Sequence, residues 1–279
     1  MPPFPNLISE SLLVRETIQY LKAAGGSASA VRVVDRVMKI RKVDPTLAVS
    51  LISDLIDRDP RLMLDGENVE FLGDAPHPFE LDETDFVVLD LETTGAKAPP
   101  SRIIEIGAYR VRNGEIHDHF HRLVNPLMPI PRFVAMLTGI SDEMVSSAPR
   151  FDEVADDLMR FIGKSVIVAH NSQFDMGFLN HEIAKVYGEY RLSNPSLCTV
   201  QLARSLISGI DNHKLRTVAN YYSIELINHH RAADDAHATA HILIRLLTEL
   251  RSLGVKDLVA ARKLPSKKKE YAEPSKAAA

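Results

Sequence analysis

Apolar and polar positions alternate with two different periods along the chain. Up to about residue 72 the apolar positions recur at helical spacing. The pattern predicts a helix from a Ser9 cap to about Ala23, stopped at Gly25-Gly26, and a second over roughly Ala28 to Ile40. Asp44-Pro45, a cap followed by proline at the first helical position, opens a third helix reaching about Arg58. RLML and NVEFL then flank Asp65-Gly66, a strong hairpin signal. Residues 73–84 are polar and contain proline, which reads as a linker. From residue 86 the period changes. FVVLD, RIIEIGAYRVR and EIHDHFHRLV read as consecutive strands, the last two joined by an Asn113-Gly114 turn. A helix near 151–162, the apolar strand SVIVAH and helices near 174–187, 199–208, 214–222 and 234–251 follow. Three meandering strands followed by strands alternating with helices predict a mixed α/β sheet with flanking helices.

The 279 residues favour two domains, a small one over 1–72 and a larger one over 85–251, with 252–279 as a basic, disordered tail. Three helices and a hairpin resemble a winged-helix domain, in which the third helix often enters the major groove. Here that helix carries Asp54 and Asp57 and a single arginine, Arg58, so a protein-docking or packing role suits it better. The single cysteine, Cys198, excludes an internal disulfide framework. No apolar run is long enough to span a membrane and no signal peptide is evident, so a cytoplasmic protein is expected.

Charge changes the picture. Residues 81–250 hold 16 Lys and Arg against 22 Asp and Glu, while residues 251–279 hold 8 against 3. A protein that coats duplex DNA would show a basic body. The acidic excess therefore either excludes nucleic acid or serves a special purpose.

Several acids point to that purpose. Asp90 and Glu92 lie at i and i+2 of the first strand, so both project from one face at its end. Asp175 falls in the first turn of the helix that follows SVIVAH, at the strand edge where open α/β sheets build their sites. Asp234 and Asp235 open the last long helix, and helical phase separates them. Asp235 shares the apolar stripe of Thr239, Ile242, Leu243 and Leu246, whereas Asp234 shares the polar face of His241 and Arg245. An unpaired inward carboxylate is expensive, so Asp235 requires a partner. His230 and His229, in the non-helical entry HHRAADD, can reach the same pocket. A histidine there can accept a proton at neutral pH, and periodicity does not choose between the two. A pocket of carboxylates alone suits hard cations such as Mg²⁺ or Mn²⁺ rather than Zn²⁺, and two of them suit phosphoryl displacement.

The runs FVVLDLETTG, VAHNSQFDMGFL and HHRAADDAHAT resemble the three exonuclease motifs of the DEDDh branch of the DEDD 3′→5′ exonucleases. The likeness covers about residues 85–250, extends to LTGISDEMV and NHKLRTVA, and is greatest to bacterial replicative proofreading domains of the DNA polymerase III epsilon and Gram-positive polymerase types. It implies a ribonuclease H-like fold and release of nucleoside monophosphates from 3′ ends. It also implies two divalent cations, Mg²⁺ or Mn²⁺, held by Asp90, Glu92, Asp175 and Asp235. The motif spacing His-x₄-Asp implies His230, not His229, as general base. By the same resemblance Leu91, Thr93 and Thr94 line the terminal nucleotide, Phe174 presses on its sugar or base, and Asn171 sits near the scissile end. The implied partner is a single-stranded or frayed 3′ end of DNA, with a polymerase in trans if the role is proofreading. Two alternatives stand beside this: a 3′→5′ exoribonuclease of the same superfamily, and a non-catalytic binding module. The N-terminal unit lies outside the motif pattern, and its partner is not implied.

Overall fold

The computed structural model describes residues 2–57, 59–73 and 79–266. Part of the expected linker and the lysine run of the tail lie outside them.

The chain opens with a short strand β1 (Leu7–Ser9), then α1 (Leu12–Ala23) and β2 (Ser27–Ser29). Next come α2 (Ala30–Val33), which widens into a π turn over Val34–Met38, α3 (Pro45–Ile56) and the hairpin of β3 (Leu62–Asp65) and β4 (Asn68–Phe71). Ser11 rather than Ser9 caps α1, its hydroxyl accepting the Val14 N–H at 3.3 Å. Ser9 is not free to do so, because β1 pairs antiparallel with a strand far along the chain, Leu7 lying opposite Leu192. Asp44 caps α3 as expected, accepting from the N–H groups of Thr46 and Leu47. β2, β4 and β3 form a three-stranded sheet, and Val14, Leu21, Val33, Ile52 and Val69 fill the core between it and the three helices.

The larger body begins with β5 (Phe86–Thr93), β6 (Ile103–Arg112) and β7 (Glu115–Leu123). It continues with α4 (Arg132–Thr138), α5 (Asp142–Ser146), α6 (Phe151–Ile162), β8 (Val166–Ala169), α7 (Ser172–Tyr187), β9 (Tyr190–Leu192) and β10 (Ser196–Cys198). It closes with α8 (Thr199–Leu206), α9 (Leu215–Tyr221), α10 (Ala232–Ser252) and α11 (Leu258–Arg262). Five strands make one mixed sheet in the order β10-β8-β5-β6-β7, antiparallel through β5, β6 and β7 and parallel from β5 through β8 to β10.

β5 is apolar on both faces because it lies in the middle of this sheet with helices on both sides. Phe86 and Val88 face one core with Leu243 and Leu246 of α10 and Leu202 of α8. Val87, Leu89 and Leu91 face the other, with Leu158 of α6 and Phe178 and Leu179 of α7. The catalytic expectations attach to the C-terminal end of this central strand, where helices from both faces converge.

The body does not end at residue 251. Leu258 and Ala261 of α11 are buried against the α8 side, Leu258 N–H donates to Phe79 O, and Leu81 N–H donates to Lys256 O. Apolar burial thus draws residues 255–262, and the end of the expected linker, into the larger body. Among the described residues no helix is long and apolar enough to cross a membrane.

Candidate active site

Asp90 and Glu92 stand on one side of β5, half-buried, directly across the antiparallel ladder from Gly107 and Glu105 of β6. α10 crosses β5 and β6 on that same side, and Asp235 in its first turn is 4% exposed. Oxygens of Asp90, Glu92 and Asp235 all lie within 4.8 Å of one another. The approach depends on Gly107: a Cβ there would sit 2.3 Å from the backbone carbon and oxygen of Ala232 and 2.4 Å from the nitrogen of Ala233. The missing side chain lets the start of α10 lie against the sheet, and that contact delivers Asp235 to the two acids of β5.

Asp175 arrives from the opposite face of the sheet. α7 packs its Phe178 and Leu179 with Leu89 and Leu91, which puts its first turn beside the end of β5. There the backbone N–H groups of Asp175 and Leu91 lie beside the Asp175 carboxylate. Burial pushes Asp175 up to about 7, with those two N–H groups opposing the shift. Burial, then the charge of Asp235, pushes Glu92 up to about 8. Asp90 is held well above the carboxylate range by burial and by Asp175, Glu92, Asp235 and Glu105 in turn. Without added positive charge, Asp90 and Glu92 favour the protonated form at neutral pH, and Asp175 is balanced near it. The donor set is all oxygen, and Asp90 and Glu92 are raised by the acids around them, so the four residues fit hard divalent cations.

The two histidines meet Asp235 in different ways. His229, which the motif spacing passes over, has Nδ1 3.0 Å from Asp235 Oδ1 and 3.1 Å from Oδ2. His230 donates its backbone N–H to Asp235 Oδ2 at 3.1 Å, has a left-handed φ of 71°, and stacks its ring on His229 with centroids 3.9 Å apart. Burial and the neighbouring His229 hold His230 below the usual histidine range, against the pull of Asp235.

Sequence reasoning missed the residue that anchors this entry loop. Glu105, fully buried, accepts Arg231 Nη2 at 2.6 Å and Arg231 Nε at 3.1 Å, the Ala232 N–H at 2.8 Å, and pairs with His121 Nε2 at 2.8 Å. Burial alone would raise its pKa, but Arg231, His121 and the Ala232 N–H outweigh it and hold the carboxyl below its usual value. Glu105 therefore ties β6 to the residues between His230 and Asp235. Its signal was a lone acid inside the apolar run IIEIG, followed two residues later by a strand glycine, itself a mark of close backbone approach.

The expected nucleotide-lining residues divide into two sets. Leu91 is buried in the α7 core, and its N–H lies beside the Asp175 carboxylate. Thr93 donates its hydroxyl to Gly95 O at 2.7 Å; the Thr94 hydroxyl accepts the Arg102 N–H at 3.0 Å and lies 3.6 Å from Met128 Sδ. These three side chains are buried, at 4%, 7% and 3% exposed. Asn171 is exposed at the N-cap of α7 with a left-handed φ of 93° and makes no side-chain cap bond. Phe174 is half-buried, its ring 4.9 Å from that of Phe178, so part of it packs on the core and part remains accessible.

The central strand thus carries two acids, joined by one acid from a helix on each face of the mixed sheet. Residues 87–243 match the RNase T exonuclease family, and the chain belongs to it. A DNA polymerase III PolC-type protein of Halalkalibacterium halodurans is 43% identical over 167 residues, 60% of this chain and 12% of that protein. The one from Bacillus subtilis is 41% identical over 175 residues, 63% of this chain and 12% of that protein. The chain thus spans 12% of the length of these relatives. Among solved structures, E. coli exonuclease I in complex with a dT13 oligonucleotide superposes with a TM-score of 0.55 at 18% identity, covering 61% of this chain and 42% of that one. Cell-death related nuclease 4 gives 0.52 at 17%, covering 64% and 68%. At these identities the likeness establishes the shared fold.

Proposed function

We propose that the chain is a metal-dependent 3′→5′ exonuclease of the DEDDh type that releases nucleoside monophosphates from DNA 3′ ends. The observation that carries this reading is the convergence of Asp90, Glu92 and Asp235 within 4.8 Å, with Asp175 raising Asp90 from the far side. Similarity to DNA polymerase III PolC-type proteins favours DNA over RNA and a proofreading or repair role beside a polymerase.

Bound Mg²⁺ or Mn²⁺ ions would neutralise the scissile phosphate and make water a stronger acid. Asp90, Glu92, Asp175 and Asp235 would hold them. Asn171 and the accessible part of Phe174 meet the terminal nucleotide, backed by a wall of Leu91, Thr93 and Thr94. His230, its pKa held low, is neutral at pH 7 and takes the proton of the attacking water as the phosphodiester is displaced. A second reading gives that task to His229, because its ring, not that of His230, touches Asp235. The N-terminal helices and sheet we read as a winged-helix-like domain.

The test is hydrolysis of end-labelled DNA and RNA oligonucleotides, matched and mismatched, with Mg²⁺ or Mn²⁺. The expected result is stepwise mononucleotide release from DNA 3′ ends, abolished in Asp175→Ala and Asp235→Ala proteins that remain folded. Metal-independent digestion, or an Asp175→Ala protein working at near wild-type rate, overturns the assignment. Preference for RNA would move it to the exoribonucleases.

A further inference from the structure

The first 72 residues carry nine Lys and Arg, and five of these (Arg32, Arg36, Lys39, Arg41 and Lys42) fall within eleven consecutive positions. All five are exposed. Arg32 and Arg36 lie one helical turn apart along α2 and its π turn. Lys39 and Lys42 then take left-handed φ values of 60° and 55°, which build the corner leading into α3. Among the described residues none of the five makes an ion pair; Lys39 Nζ reaches only the Arg36 carbonyl at 2.6 Å. One acid, Asp35, lies in the same stretch, and Asp44, two residues beyond it, is occupied in capping α3. α3 itself offers no Lys or Arg and exposes Asp54. Eleven residues of helix and turn span about 15 Å, so five like charges act together over little more than a Debye length at 0.1 M salt. A polyanion relieves their mutual repulsion.

We propose that the α2–α3 corner, not helix α3, is a sequence-independent contact for the phosphate backbone of nucleic acid, holding the substrate strand while its 3′ end is processed elsewhere on the chain. The choice of nucleic acid over another polyanion rests on the exonuclease reading. Five basic side chains without a stacking aromatic or a base-reading amide give affinity without sequence preference.

The experiment uses the full chain and fluorescence anisotropy of labelled oligothymidylate in EDTA, where chemistry is silent. Wild type should bind with a steep salt dependence. The triple variant R36Q/R41Q/K42Q should lose about two units of the slope of log affinity against log salt, and roughly a hundredfold in affinity at 0.1 M salt. The charge-preserving R36K/R41K protein should bind like wild type. Equal slopes for wild type and triple variant, with unchanged thermal midpoints, would overturn the proposal. Binding of a glutamate-rich peptide in place of DNA would overturn it as well and assign the corner to an acidic protein partner. Mg²⁺-dependent hydrolysis of a dinucleotide, too short to reach beyond the acidic pocket, reports on the exonuclease reading separately. Its loss leaves the binding result standing.

Discussion

Substituting Gly107 by alanine tests whether the meeting of α10 with the sheet assembles the site. The added Cβ would lie 2.3 Å from two Ala232 backbone atoms, where ordinary contact needs at least 3.4 Å. Neither atom belongs to a flexible side chain, so the start of α10 must retreat by about 1 Å, a displacement that commonly costs about a hundredfold in rate. Asp235 lies three residues further along the same turn and His230 two residues before it, so both move together relative to Asp90 and Glu92. Overpacking of this kind costs about 1–3 kcal/mol, which leaves a folded protein. Stepwise digestion of a 3′-labelled oligonucleotide should fall about a hundredfold in Gly107→Ala, with far-UV circular dichroism unchanged. The control is Gly177→Ala in α7, where nothing lies within 4 Å of the new Cβ; helix propensity there favours alanine by about 1 kcal/mol. A folded Gly107→Ala protein within about threefold of wild type would refute the reasoning, since the geometry demands a displacement rather than a tuning effect.

Glu105→Ala leaves Arg231 and the Ala232 N–H without their buried acceptor and should cost about 3 kcal/mol, read as a lower urea midpoint; an unchanged midpoint would remove Glu105 as the clamp of the entry loop. His230→Ala should slow hydrolysis by roughly 10²–10⁴-fold and flatten the acid limb of the pH profile. In wild type that limb should have its midpoint below the usual histidine value, because His230 is held low and the base must be neutral; a full acid limb in His230→Ala would transfer the role to His229. In EDTA the folded protein should lose stability as pH rises. Glu92 and Asp175 keep protons up to about 8 and about 7 when folded, while the unfolded chain releases them near its ordinary carboxylate values. At about 1.4 kcal/mol per pH unit per group, shared among coupled acids, a drop of a few kcal/mol is expected between pH 5 and 8.5, and Mg²⁺ should restore it. A thermal midpoint in EDTA that is flat or rising over that range would contradict the crowding of these acids.

What the sequence shows of this molecule depends on how local each signal is. Asp90 and Glu92 were legible because a two-residue period decides their face, and Asp235 was separable from Asp234 because a 100° helical phase decides its own. The structure agrees, with Asp235 buried and Asp234 half-buried. β1 was not legible: Leu7, Ile8 and Ser9 form a strand only because Leu192, Arg191 and Tyr190 lie opposite, more than 180 residues away. Glu105 had the same difficulty. An acid inside IIEIG is costly until Arg231, 126 residues later, meets it, and no local period announces that meeting. His229 and His230 differ by one residue in a loop without a period, so only coordinates could place one ring on Asp235.

The acidic body, which by itself speaks against nucleic acid, gains a different sense once position is added. Asp90, Glu92, Asp175 and Asp235 form a pocket that a phosphate enters only alongside cations, so the pocket cannot hold a strand in their absence. The exposed charges of Arg32, Arg36, Lys39, Arg41 and Lys42 have no such requirement. Retention of the strand and cleavage of its end then respond to different ions. Rising monovalent salt weakens the first through counterion release, while a chelator removes only the second. A chain with its basic residues spread evenly over the body would tie both to one variable. Their segregation lets a strand stay bound when chemistry stops, so after EDTA is displaced by excess Mg²⁺ digestion should resume on the molecules already held.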